Sequence, residues 1–203
     1  GDKILFDFHS ETETLKDFSW EIPGIHNVEN ATAAIALLNS AGVSLSVLKD
    51  GIASFKGIKR RYTKHNFENG KAYIDDYAHH PTELNAVIGS IKTFYPDKKL
   101  LVVFQPHLFS RTKDFAEGFA ESLSNCEELM LLDIYPAREL QENFEGITSD
   151  WLLEKIDLEK KEKISLENAL NKIKEKDFDI LLTVGAGNID TLYDPIVEWM
   201  KVN

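Results

Sequence analysis

The fold of this chain is decided by the stretch YIDDYAHHPTE at residues 73–83. The apolar, β-rich segment 71–77 predicts a strand, and Pro81 suits the first turn of a helix. Two carboxylates, a phenol and two imidazoles lie between them. Because ligands of α/β sheets bind at the carboxyl ends of the strands, this stretch is a candidate site. The alternative is that Asp76 or Thr82 caps the helix and the histidines are solvated.

Composition indicates a globular protein and excludes several classes. The 203 residues are 43% hydrophobic and 28% charged, with a formal net charge of −11. This acidic balance argues against a nucleic-acid partner, and no apolar run approaches the roughly 20 residues of a membrane helix. The single cysteine, Cys126, excludes an internal disulfide and fits a cytoplasmic location. Because the chain starts with Gly1, we expect a fragment of a longer protein.

After residue 61 the sequence alternates between strand and helix patterns. We predict strands over residues 99–105, 128–135 and 179–184, and helices over residues 81–95, 111–124, 149–156, 166–175 and 189–200. The apolar strands indicate burial on both faces, as in a parallel sheet covered by helices. A hairpin over residues 62–77, with a type I′ turn at Asn69-Gly70, adds one antiparallel edge strand. The expected fold class is α/β, with a Rossmann-like, doubly wound, mostly parallel sheet.

The first 60 residues have a different pattern. Predicted strands over residues 3–9 and 15–22 precede an Ala-rich helix, which carries Asn27 and Asn30 at its start. These asparagines either cap the helix or read the edge of a flat polar ligand such as a purine. The basic segment KGIKRR at residues 56–61 is a connector whose arginines are either solvated or able to bind phosphate. We therefore predict domains over residues 1–60 and 61–203.

Two further predicted strand ends carry polar groups. QPHLFSRT at residues 105–112 places His107 and Arg111 after a buried strand. An arginine there either binds a carboxylate or starts a helix at the surface. GAGNID at residues 185–190 resembles the start of a dinucleotide-binding turn but lacks the third glycine. The sequence contains neither a G-x-x-x-x-G-K-[ST] phosphate loop nor a metal-ligand spacing.

Taken together and in order, the motifs resemble those of the Mur ligases. They are GIHNVENA at residues 24–31, RRY at 60–62, DDYAHHPTE at 75–83, FQPH at 104–107, SRT at 110–112, YPA at 135–137 and GAG at 185–187. The resemblance implies the last piece of a central ATPase domain in residues 1–60 and the C-terminal, amino-acid-binding domain in residues 61–203. It is strongest to the branch that joins L-alanine to UDP-N-acetylmuramate in peptidoglycan precursor synthesis. That reaction consumes ATP and passes through an acyl phosphate.

The resemblance implies a nucleotide site. Asn27 and Asn30 would hydrogen-bond the adenine of ATP, and Arg61 would act in catalysis by reaching the ATP phosphates. Asp76 would hold the ribose, with Tyr77 against the nucleotide. Mg²⁺ would be held mainly by protein segments outside these residues, and the fragment alone is expected to be inactive.

The resemblance also implies an amino-acid site. His79, His107 and Arg111 would bind L-alanine, with His79 and Arg111 acting in catalysis and Arg111 receiving the carboxylate. This sequence has Leu108-Phe109 where the family often has Arg-Tyr. A ligase that attaches a tripeptide to the same UDP-sugar is therefore an alternative. A stand-alone nucleotide-binding module, suggested by the GAG turn, is another.

Overall fold

The computed structural model describes residues 4–11, 13–20, 22 and 24–202, with the exception of the His26 side chain. The chain divides into two compact units, Gly1–Ile58 and Lys59–Asn203, called here the N-terminal and C-terminal units. The sequence predicts the division two residues later, after Arg60. Arg60 belongs to the C-terminal unit because its carbonyl accepts a hydrogen bond from the Tyr77 amide at 2.7 Å.

The N-terminal unit contains an antiparallel strand pair and two helices. The strands are β1 (Ile4–His9) and β2 (Thr14–Trp20), and the helices are α1 (Ile25–Ser40) and α2 (Leu45–Ser54). Their apolar faces form one small core of Phe8, Phe18, Ile35, Leu45 and Leu48. Positions 3 and 21 of the predicted strands lie outside the described residues. The assignment of this unit to a central ATPase domain stays a prediction.

The C-terminal unit is built on a six-stranded sheet, formed by described residues. Its strands are β3 (Thr63–Asn66), β4 (Ala72–Asp76), β5 (Leu100–Gln105), β6 (Glu128–Leu131), β7 (Lys161–Lys163) and β8 (Ile180–Gly185). The order is β3-β4-β8-β5-β6-β7. Only the pair β3–β4 is antiparallel. The predicted α/β class, with a mostly parallel sheet and one antiparallel edge strand, is confirmed.

Helices cover both faces of this sheet. They are α3 (Pro81–Phe94), α4 (Phe109–Asp114), α5 (Ala116–Leu123), α6 (Ser149–Lys155), α7 (Leu166–Lys174) and α8 (Tyr193–Val202). Successive strand residues point to opposite faces. Ile74 therefore packs in a core with α3, α5 and α6, whereas Tyr73 packs in a second core with α7 and α8. Among the helices of the described residues, none has both the length and the apolar character that a membrane crossing requires.

The predicted type I′ hairpin turn is wrong. That turn needs a positive φ at both central residues, and here only Gly70 has one, of 82°. The Gly70 amide instead donates to the Phe67 carbonyl at 3.0 Å. The Asn69 side chain accepts a hydrogen bond from the Lys71 amide at 2.9 Å. This bond stabilises a longer loop, in which Asn69 does not have a positive φ.

The single helix predicted over residues 111–124 is also wrong, because the segment forms α4 and α5. Phe115 separates them with φ −115° and ψ 20°, and its ring packs edge-on against the His80 ring at 4.6 Å. The first of these helices begins at Phe109 because the preceding Leu108 has a φ of 72°, which no right-handed helix can include.

Candidate active site

Three neighbouring strands of the C-terminal unit end at the same edge of the sheet. In the parallel register Asp76 of β4 lies opposite Val184 of β8, and Gln105 of β5 lies opposite Gly185. The segments that follow β4, β5 and β8 therefore meet. This carboxyl edge is where open α/β sheets bind their ligands.

The GAG turn after β8 is held by the buried side chain of Gln105. Its amide nitrogen donates to Asn188 Oδ1 at 2.7 Å, and its oxygen accepts from the Ile189 amide at 2.9 Å. A Cβ added at Gly187 would overlap Gln105 Oε1 and lie 2.7 Å from Tyr135 Cβ. Close packing against Gln105 and Tyr135 therefore requires a glycine at position 187. This packing accounts for the glycine without invoking a bound dinucleotide.

Arg60 and Arg61 are adjacent in sequence but differ in surroundings. The Arg60 guanidinium donates to the Gly185 carbonyl at 2.5 Å and lies 3.4 Å from Asp190, so it joins the connector to the end of β8. Arg61 is exposed, and its guanidinium carbon lies 5.6 Å from the centre of the Tyr77 ring. The exposed Arg61 guanidinium suits a contact with phosphate, which stays a prediction. The structural role of Arg60, which joins the connector to the end of β8, was not predicted.

Asp75 is buried; it lies in the candidate stretch 73–83 but was assigned no specific role from the sequence. The Tyr73 hydroxyl lies 2.8 Å from Thr183 Oγ1, which in turn donates to Asp75 Oδ1 at 2.8 Å. The second carboxylate oxygen is 3.8 Å from Arg60 Nε. Burial raises the pKa of Asp75 above its ordinary value, although Thr183 and Arg60 oppose that shift. The sequence signal for this network is a polar residue within each apolar strand, Asp75 in β4 and Thr183 in β8.

Asp76 organises the backbone around it. One carboxylate oxygen accepts from the Tyr62 amide at 2.7 Å, and the other accepts from the Ala78 amide at 2.8 Å. Burial nevertheless raises the pKa of this carboxyl above its ordinary value. Each carboxylate oxygen keeps a second lone pair, which can accept a hydrogen bond from a ribose hydroxyl. The predicted ribose contact stays a prediction.

The two adjacent histidines after β4 have different surroundings. His80 is the N-cap of α3, where its Nδ1 accepts from the Thr82 amide at 3.3 Å. Glu83 completes a capping box, since its Oε2 accepts from the His79 amide at 2.8 Å and the His80 amide at 3.1 Å. His80 thus caps the helix, so the interpretation that Asp76 or Thr82 is the cap is wrong. The His79 ring lies elsewhere.

The structure brings together His79, His107 and Arg111, which the sequence analysis assigned to one site. The rings of His79 and His107 are 6.2 Å apart, edge to face. Arg111 Nη1 lies 3.3 Å from His107 Nδ1, and the His107 ring stacks on the Tyr135 ring with centroids 5.6 Å apart. A cation and two imidazoles thus lie together at the carboxyl edge. Their catalytic roles stay predictions.

Glu139 was given no role in the sequence analysis. Its carboxylate accepts hydrogen bonds from the Ser110 amide at 3.0 Å and from the Ser110 hydroxyl. The loop that carries Tyr135 is thereby attached to the first turn of α4, which carries Arg111. The ionic character of this loop was visible in the sequence, but its partner lies 29 residues away.

Asn27 and Asn30 lie in the N-terminal unit. They are one turn apart on α1, with Asn27 half-buried and Asn30 exposed. Gly24 occupies the N-cap position of this helix, so the interpretation that the asparagines cap it is wrong. Their predicted contact with adenine stays a prediction.

No cluster of three or more His, Cys, Asp or Glu side chains in a metal-binding arrangement occurs among the residues that the structure describes. Mg²⁺ prefers several oxygen ligands in octahedral geometry. That Mg²⁺ is held mainly by protein segments outside these residues stays a prediction.

These features define an α/β domain with a cation and two imidazoles together at the carboxyl edge of its sheet. A family model described as Mur ligase, glutamate ligase domain, matches residues 60–187. The chain belongs to this family, and the predicted resemblance is confirmed.

Individual relatives are more specific. UDP-N-acetylmuramate–L-alanine ligase of Cytophaga hutchinsonii is 50% identical over 194 residues, which are 95% of this chain and 41% of the relative. The ligase of the same name from Flavobacterium johnsoniae is 46% identical over 199 residues, 98% of this chain and 44% of the relative. The crystal structure of UDP-N-acetylmuramate–alanine ligase from Thermotoga maritima superposes with a TM-score of 0.73 at 26% identity, covering 98% of this chain and 46% of that one. The chain thus spans less than half the length of these relatives.

Replacement of Gly187 by alanine tests the packing of the GAG turn. Because the added methyl group would overlap Gln105 and approach Tyr135, we expect Gly187→Ala to lower the free energy of unfolding by about 1–3 kcal/mol. Gly89→Ala is the control, since Gly89 is exposed within α3 and a Cβ there meets nothing within 4 Å. That substitution should raise stability by about 0.5–1 kcal/mol. Urea denaturation of both variants measures the difference, and equal stabilities would contradict the close packing at Gly187.

The pKa of His107 provides a second prediction. Burial lowers it below the ordinary 6.5, and the positive charge of Arg111 and the neighbouring His79 lower it further, against the opposing charge of Glu139. The unfolded chain therefore binds the proton more tightly than the folded chain. The contribution of this ring to stability is complete above about pH 6.5 and is lost as the pH falls through the folded-state pKa.

NMR titration of the His107 ring protons, in the folded chain and in urea, measures this shift. We expect the folded midpoint to lie below the unfolded one. A folded midpoint at or above the unfolded value would contradict the arrangement of Arg111 beside His107.

Proposed function

We propose that this chain is the C-terminal part of an ATP-dependent ligase that joins L-alanine to UDP-N-acetylmuramate, in the cytoplasm, during peptidoglycan precursor synthesis. Two relatives with that name are 46% and 50% identical over nearly all of this chain. The observation that carries the proposal is the cluster of His79, His107 and Arg111 at the carboxyl edge of the sheet. This cluster has the charge and the hydrogen-bond donors that a small amino acid requires.

The proposed reaction begins with transfer of the ATP γ-phosphate to the muramoyl carboxylate, which gives an acyl phosphate. Phosphoryl transfer depends on positioning and on neutralising the charge of the phosphate oxygens. Arg61 is suited to this task because it is exposed and lies beside Tyr77. In the proposal Asp76 binds the ribose, while Asn27 and Asn30 bind the adenine.

The amino acid is then bound by the cluster. The planar guanidinium of Arg111 can donate two parallel hydrogen bonds to a carboxylate. His107 orients it, because Arg111 Nη1 donates to His107 Nδ1 and the His107 ring is fixed by stacking on Tyr135. The amine of L-alanine then attacks the acyl phosphate and releases inorganic phosphate.

Leu108 is the residue that favours a second candidate for the amine substrate. It lies next to His107, in the position where the family often has an arginine, so one cation that could hold a small amino acid is replaced by an apolar side chain. A ligase that adds a tripeptide to the same UDP-sugar is therefore the second candidate. The names of the relatives at 46% and 50% identity favour L-alanine.

Removal of the Arg111 guanidinium tests the amino-acid site. In the full-length protein we expect Arg111→Ala to raise the KM for L-alanine about ten- to a hundredfold, because a hydrogen bond to a charged group contributes about 1.5–3 kcal/mol. The KM for ATP should change little. Lys113→Ala is the matched control, since Lys113 is an exposed cation on the same short helix. Unchanged KM for L-alanine in Arg111→Ala, or an equal increase in Lys113→Ala, would contradict the proposed role.

A further inference from the structure

The hydrogen bonds of His79 fix the position of its ring proton. Nδ1 lies 3.0 Å from the Tyr77 carbonyl oxygen and 3.4 Å from Glu83 Oε2. A carbonyl and an ionised carboxylate can only accept hydrogen bonds, so Nδ1 must carry the proton. In the neutral ring the lone pair is then on Nε2. Among the described residues, no hydrogen bond to His79 Nε2 is found.

The neighbouring imidazole has the opposite arrangement. Arg111 Nη1 can only donate, and it lies 3.3 Å from His107 Nδ1. His107 Nδ1 therefore carries the lone pair, and its proton is on Nε2. Of these two imidazoles, His79 has a basic nitrogen to which no described residue donates, whereas the Nδ1 lone pair of His107 accepts a hydrogen bond from Arg111.

We propose that His79 is the general base that deprotonates the amine of the amino-acid substrate, and that Glu83 is the residue that positions it. The inference rests on the proposed ligase function. It assigns to His79 Nε2 a proton transfer, beyond contact with the amino acid. The need for a base follows from the substrate, because an amino acid at neutral pH has an ammonium group, which is not a nucleophile.

The proton transfers balance as follows. His79 Nε2 takes one proton from the ammonium group, and the freed lone pair forms the C–N bond with the carbonyl carbon of the acyl phosphate. The tetrahedral intermediate breaks its C–O bond and expels phosphate, which takes the second N–H proton. The products are the amide and inorganic phosphate, and the proton on His79 passes to solvent.

Glu83 both caps helix α3 and contacts the proposed base, His79. Its Oε2 accepts from the amides of His79 and His80, and it lies 3.4 Å from His79 Nδ1. A carboxylate there stabilises the imidazolium that forms when Nε2 takes the proton. The other groups that face His79 are the Tyr77 ring at 5.2 Å and the neutral His107 ring at 6.2 Å, with Arg111 beyond His107. Of these, Glu83 is the negative charge.

Hydroxylamine separates base catalysis from the other steps. Its nitrogen is unprotonated at neutral pH, so it traps the acyl phosphate as a hydroxamate without needing a base. In the full-length protein we expect His79→Asn to reduce amide formation from L-alanine about a hundredfold or more, while hydroxamate formation stays within about twofold of the unsubstituted protein. Asparagine retains a donor for the Tyr77 carbonyl.

The adjacent histidine is the matched control. His80→Asn keeps an N-cap side chain and removes an imidazole that packs on Phe115, so both rates should stay within about twofold. Equal loss of amide and hydroxamate in His79→Asn would overturn the base assignment, because the ring would then act before the amine. Full amide formation by His79→Asn would overturn it as well.

Glu83→Gln isolates the charge of Glu83. Glutamine keeps an oxygen for the two capping hydrogen bonds but carries no charge, so the melting temperature should be unchanged. Amide formation should fall about tenfold or more with hydroxamate formation retained, since the imidazolium loses its partner. A variant with full amide formation would show that Glu83 is only a helix cap and would overturn its positioning role.

Nitrogen chemical shifts of the histidine rings in this 203-residue chain test the protonation pattern without any ligase activity. We expect the neutral Nδ1–H form for His79 and the Nε2–H form for His107. An Nε2–H form for His79 would overturn the inference and leave the proposed function intact. If the unsubstituted full-length protein forms neither amide nor hydroxamate, the proposed function fails and the base assignment falls with it.

Discussion

The parallel register of β4, β8 and β5 places three chemically different segments at one edge of a buried sheet. Asp76 lies opposite Val184, and Gln105 lies opposite Gly185. The central strands β5 and β8 are buried along their whole length, so a shift of register would move side chains from one core to the other. The meeting of the three segments is therefore enforced by backbone hydrogen bonds and apolar packing.

Several charged side chains at this edge hold backbone in place. Asp76 accepts from two amides, Glu83 accepts from two more, and Arg60 donates to the Gly185 carbonyl. Such charge-assisted hydrogen bonds contribute about 1.5–3 kcal/mol each. They set the path of the segments that follow the strands. Because the backbone is fixed in this way, His79 and Arg111 project from defined positions, which reduces the entropy lost when a substrate is ordered.

Much of the fold was predictable, because its signals are local. The apolar strands such as Leu100–Gln105, and the change from strand to helix at Pro81, are written in short stretches of sequence. His79, His107 and Arg111 were assigned to one site by the resemblance to the Mur ligases, which itself rests on short motifs. Each of these signals lies in a short stretch next to the feature that it predicts.

What could not be predicted depends on contacts between distant residues. The different surroundings of Arg60 and Arg61 follow from a hydrogen bond to Gly185, 125 residues away. The partner of Tyr73 is Thr183, 110 residues away. The break at Phe115 accompanies a ring contact with His80, which helix propensity does not include. The positions of the histidine protons follow from hydrogen-bond partners that only the folded chain brings within reach.

The most direct test of an amino-acid site at this edge is phosphate release by the full-length protein. ATP and UDP-N-acetylmuramate would be held constant, and L-alanine or the tripeptide would be supplied as the amine. We expect release of phosphate with L-alanine. Release only with the tripeptide would contradict the choice of L-alanine, and no release with either amine would contradict a ligase that acts on this sugar nucleotide.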